Sequence, residues 1–367
     1  MIIKALALDC FRNYPHLKAT FDPGVNLIYG DNAQGKTNLL EAVSYLSVAR
    51  SHRARYDREM IMLDQDSASI KGVVESRKRE FNLEARLFRG RGRQLFSNGV
   101  KLKTAGDLAG ILTTVLFCPE DLSLIRAGGA ERRRFLDGAI SQIRPRYAKA
   151  LGEYHRLYEH KTRILRDWPE NPSLLSTLDD FDLRMAQTGA ILIHYRAHFI
   201  RRLMNHAPAI HLDFSGGREK MELSYSTVST VTAPMAHPRE ILPQLLEHQR
   251  THHQAELDSR QCLSGPHKDD LVVCVGGQPA KTYASQGQVR TAALSLKLAQ
   301  REIFQEETGA WPVLLLDDVL SELDAKRQAF ILNRIRGGQV FITCCEEEKL
   351  EGLETGKTFH IQSGTLI

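Results

Sequence analysis

One run of eight residues limits the fold more than any other: Gly30-Asp31-Asn32-Ala33-Gln34-Gly35-Lys36-Thr37, a match to G-x-x-x-x-G-K-[ST] at every fixed position. The apolar Val25-Asn26-Leu27-Ile28-Tyr29 before it reads as a short strand, and Asn38-Leu39-Leu40-Glu41-Ala42-Val43 after it opens a helix. Glycines let the backbone curl so that its N–H groups point inward, and the new helix adds its positive dipole end. The Lys36 ammonium can then reach β- and γ-phosphates, and the Thr37 hydroxyl can join a Mg²⁺ site. The layout predicts an α/β chain with a nucleoside triphosphate site lined by residues 30–38.

At 367 residues the chain has room for two or three structural units. No apolar run approaches the ~20 residues of a membrane span. The N-terminus, Met1 to Asp9, reads as a first strand rather than a signal peptide, so a soluble cytoplasmic protein with no membrane partner is expected. The six cysteines form no C-x-x-C pair and read as thiols in a reducing compartment. The net charge of +5 is only mildly basic, but its distribution is uneven. Arg50 to Arg55 with Arg58, Arg89 to Arg93, and Arg132-Arg133-Arg134 form basic clusters, and Glu346-Glu347-Glu348 an acidic one. Two readings of the basic clusters stand: a polyanion surface using Arg53, Arg55, Arg91, Arg93, Arg132 and Arg133, or solvated faces and salt bridges.

Hydrophobic patterning divides the chain into three segments. Residues 1–125 carry strands around the phosphate loop, including three alternating strands over 68–96 and a hairpin turn at Ser97-Asn98-Gly99. Residues 126–258 are mostly helical, with apolar and aromatic stripes at helical spacing over 145–168 and 174–204 that read as helix–helix core. Residues 259–367 return to α/β order, with a helix over Gly287–Gln305, a buried strand over Val313–Asp318 and a helix over Ser321–Ile335.

That buried strand ends in Asp317-Asp318, placing carboxylates where phosphates sit in such folds. Asp317 suits Mg²⁺ and Asp318 suits polarising a water. Ser285-Gln286-Gly287-Gln288 precedes a helix and offers a second anion-binding N-terminus. Ser321-Glu322-Leu323-Asp324 follows the acidic strand, with Ser321 as a candidate N-cap.

The order P-loop, S-Q-G-Q, L-L-L-D-D, S-E-L-D resembles the ABC-type head ATPases of the SMC-like group. Further runs resemble the RecF family more closely: Phe11-Arg12-Asn13-Tyr14, Ser51-His52-Arg53, Phe117 to Leu122, Arg132 to Asp137, Gly265 to Asp270, and Leu294 to Ala299. The resemblance spans essentially the whole chain. It implies an ABC-type P-loop ATPase head of mixed sheets with an inserted, mostly α-helical lobe. It also implies slow hydrolysis of ATP with Mg²⁺, an ATP-dependent homodimer, binding of double-stranded and gapped DNA, and work with RecO and RecR in loading RecA during repair and the SOS response. By position it makes Lys36 and Thr37 the Walker A pair, Asp317 the metal carboxylate and Asp318 the catalytic acid. Ser285, Gly287 and Gln288 become the signature offered to ATP on the opposite copy, and Asp324 a residue near the dimer seam.

There are departures from the wider ABC pattern. Asp318 stands where many relatives carry Glu, Thr343 follows the strand that usually precedes a switch histidine, and Pro119-Glu120-Asp121 occupies the glutamine-loop region. Arg12 is open to two readings, a phosphate contact or an ordinary surface arginine. The alternatives are a transporter-coupling ABC ATPase, for which the usual L-S-G-G-Q is absent, and an SMC-like structural head, for which about 130 residues between the halves are too few for long arms.

Overall fold

The computed structural model describes residues 1–335, 337–345 and 356–367, so the acidic run Glu346 to Glu348 lies outside the described residues. The chain forms two compact units, Met1–Leu122 with Leu294–Ile367, and Ser123–Ala293. The first break lies close to the expected one near residue 125. The second falls inside a helix rather than near residue 258, because β10 (Asp270–Val275) pairs with β9 (Met221–Ser226) of the helical segment along its whole length.

In the first unit, β1 (Ile2–Phe11), β2 (Tyr14–Thr20), β4 (Ser67–Ser76), β5 (Arg79–Phe88), β6 (Gln94–Ser97) and β7 (Val100–Lys101) make an antiparallel sheet in the order β2-β1-β4-β5-β6-β7. Asn98 and Gly99 both take positive φ, 50° and 77°, at the β6–β7 turn, as a two-residue hairpin of this twist requires. The second sheet, β15-β14-β3-β13-β12-β8, holds five parallel strands. They are β3 (Val25–Tyr29), β8 (Thr114–Phe117), β12 (Val313–Leu316), β13 (Val340–Cys344) and β14 (Lys357–Gln362), with β15 (Thr365–Leu366) antiparallel at the edge. The P-loop helix α1 (Lys36–Val48) packs on strands of both sheets. Leu39, Leu40, Ala42, Val43, Tyr45 and Leu46 are all buried, apolar side chains covering most of its circumference, as a helix enclosed between two layers requires.

The second unit begins with the short α2 (Ser123–Arg126), followed by α3 (Gly129–Ile143), α4 (Pro145–Asp167), α5 (Leu178–Phe214) and α6 (Pro238–Ser259). Its small sheet runs β11-β10-β9, with β11 at Gln278–Pro279 and the one-turn α7 (Ala280–Tyr283) after it. Helix α8 (Gln286–Thr308) starts in this unit and ends in the first, where α9 (Ala325–Arg334) also lies.

Ionic knots hold the helical unit. Arg196 donates to Asp137 and Asp269, both at 2.8 Å, and Tyr225 and Thr227 also donate to Asp269. Lys161 bridges Asp182 and Glu256 at 2.5 Å each. Breaking such a buried pair from one side costs about 3–5 kcal/mol. Among the described residues no helix is long and apolar enough to cross a membrane. All six cysteines are free thiols.

Candidate functional site

The phosphate loop is shaped by backbone that side chains would obstruct. Gly30 and Gly35 take φ of 146° and 123°, and Ala33 64°. A Cβ at Gly30 would fall on the Ile361 carbonyl, and one at Gly35 would sit 2.9 Å from the Tyr14 hydroxyl. Neighbouring elements hold the loop. Tyr14 donates to the Gly35 carbonyl at 2.9 Å and Asn13 Nδ2 to the Gln34 carbonyl at 2.8 Å. The Ser363 and Gly364 N–H groups of the β14–β15 turn donate to Gln34 Oε1 and its carbonyl. Asn38 Nδ2 donates to Asn13 Oδ1 at 2.9 Å, and Cys345 Sγ lies 3.2 Å from Asn32 Oδ1. The Lys36 ammonium donates to the Gly30 and Asp31 carbonyls at 2.6 and 2.8 Å, folded back over the loop's mouth.

Strand order explains the rest of the site. β3 and β12 are parallel and separated by β13, so the P-loop and the acidic strand end emerge at one edge of the sheet. Thr37 Oγ1 donates to Asp317 Oδ1 at 2.9 Å across 280 residues of sequence. Thr343, at the end of the intervening strand, donates to the same oxygen at 2.9 Å and accepts from the Asp318 N–H at 2.9 Å. Thr343 thus orients both carboxylate residues, a role sequence reasoning left open. Asp318 has φ of 55°, a left-handed conformation that Asp tolerates, and the Ser321 hydroxyl donates to its carbonyl at 2.7 Å. Burial raises the Asp317 carboxyl above its usual range; hydrogen bonds from Thr343 and Thr37 offset part of this, and Asp318 and Glu120 add to it. Glu120 lies in the single helical turn after β8, and its neighbour Asp121 pairs with Lys297 at 2.8 Å. Ser321 does not cap the following helix: a short turn spans Leu320–Glu322, and α9 is capped by Asp324, which accepts from the Arg327 N–H at 2.9 Å.

Arg12 is not an ordinary surface arginine. Its guanidinium is bidentate to Glu41 of α1, with both contacts at 2.8 Å, and Ser51 hydrogen-bonds the same carboxylate. The Ser51 hydroxyl also accepts from the Arg53 and Ala54 N–H groups. Phe11-Arg12-Asn13-Tyr14 and Ser51-His52-Arg53 therefore brace the phosphate loop and its helix.

The arginine clusters separate by burial. Arg53, Arg55 and Arg91 are exposed; Arg53 also reaches Asn38 Oδ1 at 3.1 Å, and Arg91 lies over the Phe88 ring. Arg93 is exposed too, and it pairs with Asp57 at 2.9 Å. Arg132, one of the expected polyanion contacts, is turned inward. Its side chain is 7% exposed, grips Asp270 at 2.7 and 2.8 Å and caps the Ala127 carbonyl at 2.9 Å. Arg133 donates to the Asp269 carbonyl at 2.6 Å. Charge runs on a helix look alike in sequence whether they face solvent or an internal partner, and here the partners are Asp270, which opens a distant strand, and Asp269 just before it. Ser285, Gly287 and Gln288 stand at the start of α8 in the second unit, Ser285 exposed.

Comparison with known proteins agrees with this architecture. The family model for the RecF/RecN/SMC N terminal domain matches residues 2–365. DNA replication and repair proteins RecF of Agathobacter rectalis and Acetivibrio thermocellus are each 38% identical, covering 99% of this chain and 98% of theirs. A solved structure of the recombination mediator protein RecF with ATP in the RecFOR pathway superimposes with a TM-score of 0.91 at 36% identity, covering 100% of this chain and 96% of that one. The Smc head domain of Pyrococcus furiosus, at 15% identity and a TM-score of 0.56, shares the fold. The chain belongs to the RecF family of DNA replication and repair proteins, built on the ABC-type P-loop ATPase head.

Proposed function

We propose that this chain binds ATP with Mg²⁺ between residues 30–38 and the Asp317-Asp318 strand end, closes on a second copy, and holds duplex DNA at gaps. In the cytoplasm it then works with RecO and RecR to load RecA, and slow hydrolysis resets it. The observation that carries this reading is the 2.9 Å contact between Thr37 and Asp317, which joins the two halves of a metal–phosphate site. The residues fit the groups. Positive-φ glycines leave a backbone cradle, Lys36 is held on carbonyls that a phosphate would displace, and a hydroxyl and a carboxylate oxygen meet where Mg²⁺ is held in such sites.

Bound Mg²⁺ would neutralise charge on the transferring phosphoryl group. Thr37 and Asp317 would hold it. Lys36 would turn from the Gly30 and Asp31 carbonyls to the phosphates. Asp318, its backbone anchored by Thr343 and Ser321, would polarise the attacking water. Ser285, Gly287 and Gln288 would meet the nucleotide of the other copy, and exposed Arg53, Arg55 and Arg91 would meet DNA phosphates, which position a protein without reading bases. The RecFOR pathway named for the solved relatives supports the assignment of partners.

The test is sedimentation velocity of the Asp318→Asn chain with labelled gapped duplex, with ATP, with ADP and without nucleotide. An ATP-specific dimer carrying DNA supports the reading; a monomer in all three states, or equal DNA binding in all three, rejects it.

A further inference from the structure

The N-terminus of α8 is closed on itself. Ser285 is its cap: the carbonyl accepts from the Val289 N–H at 2.9 Å, and Oγ accepts from the Gln288 N–H at 3.3 Å. Gln288 returns the contact, its Oε1 accepting from the Ser285 N–H at 2.8 Å. This S-x-x-Q capping box employs the Ser285 oxygen as an acceptor and leaves its proton to be donated elsewhere. The Gln288 amide is itself anchored, because Nε2 donates to Glu219 Oε1 at 3.1 Å. Glu219 belongs to the turn after α5, where its N–H donates to Ser215 Oγ at 3.1 Å. Its second carboxylate oxygen lies 3.5 Å from Nε2 of His211, a fully buried residue of α5.

A glutamine amide presents an oxygen on one side and an NH₂ on the other, and turning it over exchanges them. Only one orientation serves the box, with oxygen toward the Ser285 N–H. A carboxylate is an acceptor without a donor, so Glu219 satisfies the NH₂ in that orientation and rejects the reverse. The Glu219 side chain is 31% exposed, and its second oxygen lies beside the buried His211 of the long helix.

We propose that Glu219 is a positioning residue for ATP-driven closure: it selects the Gln288 amide orientation, which fixes the Ser285 backbone and so the direction in which the Ser285 hydroxyl is offered to the nucleotide of a second copy. The proposal rests on the reading of Ser285 as the residue that meets that nucleotide. All four residues, His211, Glu219, Ser285 and Gln288, lie within one compact unit, so the relay is a property of the monomer before any partner arrives.

The experiment compares Glu219→Ala, Glu219→Gln and Ser285→Arg with the native chain. It measures ATP affinity of the dilute monomer by fluorescent-nucleotide titration and dimer dissociation by sedimentation with ATP. Glu219→Ala frees the Gln288 amide to turn over and should weaken the ATP-bound dimer by about tenfold or more. Its monomer affinity for ATP should match the native value. Glu219→Gln keeps an oxygen able to accept from Gln288 and should restore most of the dimer. A Glu219→Ala chain that dimerises like the native protein overturns the proposal, and so does a Glu219→Gln chain as defective as Glu219→Ala, since charge or folding would then be at issue. Ser285→Arg separates the two levels of argument. If it still dimerises with ATP, the assignment of Ser285 itself fails; if it does not while Glu219→Ala behaves normally, only the positioning role fails.

Discussion

Replacing Arg12 by alanine removes the brace behind the phosphate loop, and the cost follows from burial. The Glu41 side chain is 0% exposed and that of Arg12 20%, and two parallel 2.8 Å hydrogen bonds join them. Without the guanidinium, Glu41 is left in the core with its Ser51 contact. Removing one partner of a buried pair costs about 3–5 kcal/mol, and the part exposure of Arg12 puts this case near 3 kcal/mol. The chain has two compact units, so a single global unfolding energy is the wrong measure. Hydrogen exchange of the α1 amides reports the local opening instead. A loss of about 3 kcal/mol corresponds to roughly 150-fold faster exchange at neutral pH, after correction for intrinsic rates.

Acidification supplies a second arm. Burial alone would raise the Glu41 carboxyl, but hydrogen bonds from Arg12 and Ser51 reverse this and hold it below its usual range. A depressed folded value contributes stability above the unfolded glutamate value of about 4.3, lost as pH falls through the folded one. In Arg12→Ala burial dominates, the folded value rises above the unfolded one, and the penalty is relieved as pH falls through it. The ratio of exchange rates between variant and native chain should therefore shrink from neutral pH toward about pH 5. An acceleration below about fivefold, or a ratio that does not shrink, would refute the account of the brace.

Three further outcomes are expected. Lys36→Ala should abolish high-affinity ATP binding in calorimetry, because a charge-assisted phosphate contact is lost. Asp318→Asn should keep ATP and Mg²⁺ binding and slow phosphate release in a steady-state assay; loss of nucleotide binding would mean that the roles of Asp317 and Asp318 are exchanged. In salt titrations of duplex binding, Arg91→Ala should lower the slope of log affinity against log salt by about one. Arg132→Ala should leave that slope unchanged while speeding hydrogen exchange of the α3 amides, since its guanidinium faces Asp270 and the Ala127 carbonyl.

Where the chemistry is local, the order of residues is enough to read it. The loop at Gly30 to Thr37 is legible because tight positive-φ turns and a lysine–threonine pair at fixed spacing serve one purpose, and the hairpin at Asn98-Gly99 because few residue pairs tolerate its backbone. The buried strand before Asp317 is legible from its unbroken apolar run, and the helices of the central segment from their apolar stripes. Whatever depends on which strands lie side by side is visible only in the folded chain. Thr343 orients Asp317 and Asp318 only because β13 is inserted between β3 and β12. Arg12 and Glu41 are neither adjacent nor at helical spacing, and β1 and α1 bring them together. Arg132 reads as a surface charge until β10 presents Asp270 to it 138 residues later. A charge carries no mark of whether it will face water or a buried partner; that is settled by packing.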